Sequence, residues 1–211
     1  MSRAGELASL AGSLAREAAS QAHNGRSVLV AASLPPPCGS YITLFHDSAA
    51  AERVLRVLVD AQSGALIASP DPVISALCLR RVHPDSNPCS SGFADLWLAE
   101  TLASTAQARD ASSAVHAGPP GAADKPLWLS FSLKSTGGDA PPRLLSGETV
   151  ADAAAVALSL GAGALLFNCA APELMRPAIA EAADALGANN SQVRVGKILF
   201  FPSFSNALDS Y

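Results

Sequence analysis

Ala164-Leu165-Leu166-Phe167-Asn168-Cys169-Ala170-Ala171-Pro172 is a continuous apolar run with a polar tip and a proline behind it. Such a run suits a strand buried on both faces, as in a parallel sheet, and it is predicted over residues 163–169. Pro172 fits the first turn of a helix, where its missing N–H leaves no bond unmade. The segment therefore reads as strand, polar tip, helix. Working outward, the same sentence recurs. Thr149 with Asp152 three residues on resembles a capping box, opening a helix through residues 153–160 that stops at Gly161. Before it come a strand at residues 126–133 (PLWLSFSL) and a Gly- and Pro-rich loop at residues 134–146. Earlier still, residues 94–99 (ADLWLA) form a strand ending in Glu100-Thr101, and Ser104 or Thr101 caps a helix to His116.

Residues 27–32 (SVLVAA) are the first strand, ended by Ser33-Leu34 and three prolines that forbid helix or ladder bonding. Asp47 caps the next helix, to about residue 61, with Ala50, Ala51, Val54, Leu55 and Leu58 on one face. An opening helix over residues 5–22 carries Leu7, Leu10, Ala11, Leu14 and Ala18 at helical spacing. Beyond Pro172 the helix ends at Gly187, and residues 193–201 are the last strand. Only residues 64–92 break the rhythm, with four prolines, Cys78 and Cys89 and no amphipathic period. They are read as a surface insertion in an otherwise single domain spanning residues 1–211.

The later strand tips are about 32 to 36 residues apart, the length of one βα unit with its loops. About five such units argue for a parallel α/β architecture, either a doubly wound sheet or part of a (β/α)₈ barrel. Both gather sites at the carboxyl ends of strands. Those ends hold Ser33, Glu100-Thr101, the stretch from Ser130 to Ser132, Asn168-Cys169 and Ser203.

Composition narrows the functional classes. The chain is 49% hydrophobic and 15% charged, too apolar for disorder, and its net charge of −4 offers nothing to nucleic acid or an anionic membrane. No apolar run approaches a membrane span, and Glu6, Arg16 and Glu17 interrupt any signal-peptide core. Four cysteines at 38, 78, 89 and 169 form no CxxC pair, which points to a reducing compartment, the cytosol.

Cys169 is the first candidate for chemistry. A thiolate is a nucleophile or a soft metal ligand, and a helix N-terminus favours an anion. The competing reading is a small buried hydrophobe. Glu100 could bind an ammonium group or act as a base, or it could serve the start of the following helix. Asn168 could orient a ligand or satisfy loop backbone. The four histidines show no HxH or HExxH spacing, and GxGxxG, GxxxxGK[ST] and GxSxG are all absent.

The order of strand tips resembles the homocysteine S-methyltransferase family, which includes betaine- and cobalamin-dependent relatives. Val30-Ala31-Ala32-Ser33-Leu34-Pro35-Pro36 is similar to its V-A-G-S-L-G-P strand end. Leu98-Ala99-Glu100-Thr101 is similar to its E-T strand, and Pro126-Leu127-Trp128-Leu129-Ser130-Phe131 to its P-V-W-I-S-F strand. Leu166-Phe167-Asn168-Cys169-Ala170-Ala171-Pro172-Glu173 is similar to its V-N-C-x-x-P-E signature. The resemblance implies a (β/α)₈ TIM barrel in which three cysteine thiolates hold zinc. The zinc activates homocysteine as a thiolate, which takes a methyl group from S-methylmethionine or S-adenosylmethionine to give methionine. By position, Cys169 would be a zinc ligand. Glu100 and Asn168 would lie in the substrate site, Glu100 facing the amino group and Asn168 shaping the pocket beside the metal.

Three departures qualify what the resemblance implies. The family's Gly-Gly-Cys-Cys strand, which supplies two zinc ligands, lies beyond Tyr211, and its opening Asp-Gly-Gly segment lies before Met1. The family's Tyr-Pro-Asn is here Phe201-Pro202-Ser203. The chain is thus expected to hold strands three to seven of eight and one of three metal ligands. The leading expectation is an incomplete copy that transfers no methyl group and binds zinc weakly. The alternatives are an inactive relative serving as a binding or interaction module, and a metal-free enzyme with Cys169 as nucleophile.

Overall fold

The computed structural model describes residues 3–22, 28–37, 39–41, 47–63, 93–135, 137, 140–187 and 192–197. The expected insertion at 64–92, Cys38, Cys78, Cys89 and Phe201-Pro202-Ser203 lie outside them. In chain order the elements are α1 (Arg3–Ser20), β1 (Ala31–Leu34), α2 (Ser48–Gln62), β2 (Leu96–Leu102), α3 (Thr105–His116) and β3 (Leu127–Lys134). Then follow β4 (Arg143–Leu144), α4 (Val150–Ser159), β5 (Ala164–Asn168), α5 (Pro172–Leu186) and β6 (Arg194–Lys197). No described helix is long and apolar enough to cross a membrane.

Five strands pair in parallel in the order β1-β2-β3-β5-β6. The spatial order follows the chain with no reversal. Successive helices also pack on one another, α1 on α2, α2 on α3, α3 on α4 and α4 on α5. A doubly wound sheet requires a switch point and helices on both faces. One helical layer on an unreversed parallel sheet is instead consistent with the winding of a barrel wall, the architecture that the family resemblance implies.

The core lies between that sheet and the helices. Trp97, Ala99, Leu129, Phe131, Leu133, Leu165 and Phe167 alternate along the strands and meet Leu55, Val59, Ala111, Val115, Ala153, Val156 and Ala178. The small alanines let helices approach a sheet with few aromatic residues.

Several boundaries moved for identifiable reasons. β1 starts at Ala31, opposite Leu96, instead of at residue 27. Its preceding residue, Val30, gives its N–H to the Asp95 carboxylate (2.7 Å), while its carbonyl accepts from the Asp95 N–H (2.7 Å). The stretch expected to be all loop between β3 and α4 contains β4, antiparallel to the end of β3. α2 is capped by Asp47 as its sequence suggests, but Val54 is exposed and Val59 takes the core position.

α1 turns its expected apolar face outward: Leu7, Leu10 and Leu14 are each 56% exposed. Gly12 and Arg16, one turn apart, dock the helix instead. A Cβ on Gly12 would stand 2.1 Å from the Phe93 ring, so only glycine admits this approach. Arg16 makes two bonds of 3.0 Å to Asp95 and a third to the Phe93 carbonyl.

Among the described residues, three carboxylates carry the acid dependence of this fold. Arg16 holds the Asp95 carboxyl below its usual range, against the effect of burial and with help from the Val30 N–H. Burial alone would raise Glu148, but hydrogen bonds from Ser146 and Thr105 outweigh it and hold that carboxyl low as well. The hydroxyl and N–H of Thr149 hold Asp152 low in the capping box. A carboxyl depressed in the folded state adds stability above its unfolded pKa, and that stability is lost as pH falls through the folded value. Urea midpoints are therefore expected to be flat from about pH 7 to 5 and to fall steeply below about pH 4.

Candidate functional site

The face of the sheet opposite the helices carries the polar residues. Alternation places Ser33, Glu100, Ser130, Ser132 and Asn168 there, since their strand neighbours Leu34, Ala99, Leu129, Phe131, Leu133 and Phe167 belong to the helix-packed core. All cluster toward the carboxyl ends of the strands, where parallel α/β folds build sites.

A β-bulge brings two consecutive residues of β2 to this face. The register runs Ala99↔Leu129 and then Leu102↔Phe131, so β2 has one residue more than β3 across the same span. Thr101 absorbs it with φ of 59°. That is a costly conformation for a β-branched residue, and bulges of this kind re-aim side chains beside sites. Glu100 thereby reaches Ser33 on β1, whose hydroxyl donates to Oε1 at 2.5 Å, while Thr101 reaches across to Asn168.

Asn168 is fully buried at the tip of β5. Its Oδ1 accepts from the Ser130 hydroxyl (2.8 Å). Its Nδ2 donates to Thr101 Oγ1 (3.0 Å) and to Cys169 Sγ (3.3 Å). One amide thus ties β2, β3 and β5 together and holds the sulfur of its neighbour. Both amide protons are committed within the protein.

Cys169 is half-buried and sits at φ of 47°, in the turn between β5 and α5. Tyr41, from the loop between β1 and α2, is the third non-glycine residue at positive φ (72°) among the described residues. Burial first, then the neighbouring Cys169 side chain, push the Tyr41 phenol up to about 12. At neutral pH it keeps its proton and can donate to sulfur.

The structure thus brings Asn168 and Cys169 together with Thr101 and Ser130, and sets Glu100 beside Ser33 on the same face. Reasoning from sequence missed Tyr41, whose loop has no periodicity to read; the glycine at 39 just before it was the available signal of an unusual turn.

Among the described residues the donor set does not complete a zinc site. A catalytic zinc takes three protein ligands. Cys169 is the one described cysteine, and no group of three or more His, Cys, Asp or Glu side chains gathers among the described residues.

No curated protein matches the chain. Among known families, that of homocysteine S-methyltransferase matches residues 1–204, nearly the full length. Strand tips in the family's order, on a singly wound parallel sheet, agree with that match, and the chain belongs to the homocysteine S-methyltransferase family.

Proposed function

We propose that the polar face binds homocysteine and serves S-methyl transfer to it, with S-methylmethionine or S-adenosylmethionine as donor and methionine as product. The observation that carries this reading is the Asn168 network, which fixes the Cys169 sulfur at the strand tips a few residues from a carboxylate on the same face. In the reaction the homocysteine sulfur attacks the methyl carbon of the sulfonium donor. A C–S bond forms as the donor's C–S bond breaks. The donor leaves as a neutral thioether, and the thiol proton passes to solvent.

Glu100 suits the ammonium group of the amino acid, because a half-buried carboxylate attracts a cation more strongly than an exposed one. Asn168 shapes the pocket by holding Ser130, Thr101 and Cys169 in place. The family uses zinc to activate the thiol, and Cys169 is the candidate ligand here. The described residues supply no further set of ligands, so no step is assigned to the metal. A reducing compartment such as the cytosol suits a reaction whose nucleophile is a free thiol.

Among the described residues Cys169 is the single thiol ligand, which also supports a second reading, a barrel relative that binds a thiol amino acid without turning it over. One experiment addresses both. The pure chain is mixed with L-homocysteine and each donor, methionine is followed by mass spectrometry, and homocysteine binding by calorimetry. Methionine formation supports the enzyme, and binding without product supports the module. Glu100→Gln is expected to weaken homocysteine binding by about ten-fold in either case. Absence of both binding and product overturns both readings. Inductively coupled plasma analysis is expected to find little bound zinc, and a stoichiometric, tightly held ion would contradict the one-ligand account.

A further inference from the structure

One polar group on the site face is left over. Ser132 is completely buried at the carboxyl end of β3, and its hydroxyl has no hydrogen-bond partner among the described residues. Phe131 and Leu133 on either side of it belong to the helix-packed core, so Ser132 lies on the opposite face, with Ser130. Its register partner on β5 is Asn168, and Cys169 is the next residue.

No neighbouring atom among the described residues bonds to it, and the nearest donors are already committed. Ser130 gives its proton to Asn168, and Asn168 gives both of its own to Thr101 and Cys169. A buried hydroxyl without a partner is costly, and native proteins tolerate it where a ligand or other group supplies the missing bond.

We propose that Ser132 is a specificity-determining residue of this site, its hydroxyl donating a hydrogen bond to the sulfur of the bound thiol amino acid. The inference rests on the homocysteine reading above and deepens it by naming the group that meets the reactive atom. A sulfur ligand follows from position, because Ser132 stands across the ladder from the residue that holds the Cys169 sulfur, whereas Glu100 stands one strand further away and addresses the ammonium end. Donation to a thiolate lowers the energy of the anion and fixes its direction, which prepares it for in-line attack.

The test compares L-homocysteine with L-2-aminobutyrate, which has the same amino-acid head and no thiol. Binding of both to the full chain is measured by calorimetry or ligand-observed NMR, for the wild type, Ser132→Ala and Ser132→Thr. Ser132→Ala is expected to weaken homocysteine about ten-fold and leave 2-aminobutyrate unchanged, while Ser132→Thr restores the preference. Its Tm is expected to hold or rise by about 2 °C, since the substitution removes an unpaired buried hydroxyl. Equal loss for both ligands, no loss for either, or a fall in Tm would overturn the proposal and assign Ser132 a structural role. If the wild type binds homocysteine no better than 2-aminobutyrate, the homocysteine reading itself fails, and this inference with it.

Discussion

Asn168→Ala is expected to lower the unfolding free energy by about 3 kcal/mol and to remove homocysteine binding. The side chain is fully buried, and its removal leaves the Ser130 hydroxyl without its acceptor and Thr101 Oγ1 without its donor. Each orphaned buried group costs about 1–3 kcal/mol, and the small void adds to that. Thr101 has a further reason to respond. It is held at φ of 59°, and the Asn168 bond is one of the contacts that keep it there. Without the bond the bulge can relax, and Glu100 would then lose the geometry that sets it beside Ser33. Chemical denaturation followed by circular dichroism measures the first effect and calorimetry the second. A variant within about 1 kcal/mol of wild type that still binds homocysteine would show that the network is incidental.

Much of this fold was legible because the strands are continuous apolar runs and the helices announce their starts. Asp47, Ser104 and Thr149 cap α2, α3 and α4 as their residue types suggest. The barrel-like winding was legible from the family resemblance of the strand tips but not from periodicity. It depends on which face each helix takes, and parallel strands buried on both sides look alike in either architecture. The docking of α1 was misread because hydrophobic periodicity weighs what a residue adds, whereas at Gly12 the missing Cβ lets Phe93 approach. Within the site, Glu100, Asn168 and Cys169 could be singled out as polar residues at apolar strand ends. Their arrangement could not be, because it hangs on the Thr101 bulge, and a β-branched residue in the left-handed region runs against local propensity. Tyr41 comes from a loop distant in sequence, and only the tertiary fold sets it over Cys169.

Trp97→Ala tests the opposite face of the sheet and has the larger expected effect on stability. Trp97 is wholly buried, its indole N–H donates to the Ala122 carbonyl at 2.8 Å, and Lys125 Nζ lies 6.0 Å from the ring centre. It therefore joins β2 to the loop that leads into β3. Truncation opens a large cavity, strands a buried carbonyl and frees that loop, for an expected loss of about 4 kcal/mol. In a chain of this size such a loss corresponds to a fall in Tm of about 10 °C. Trp97→Phe keeps most of the apolar volume but not the donor, and should cost about half as much. The two faces then separate in one measurement. Trp97 is part of the helix-side core, so the folded fraction of Trp97→Ala should bind homocysteine as wild type does. Asn168→Ala should lose stability and binding together. Equal loss of affinity in both variants would mean that the polar face is held by overall packing alone, without a dedicated contribution from the Asn168 network.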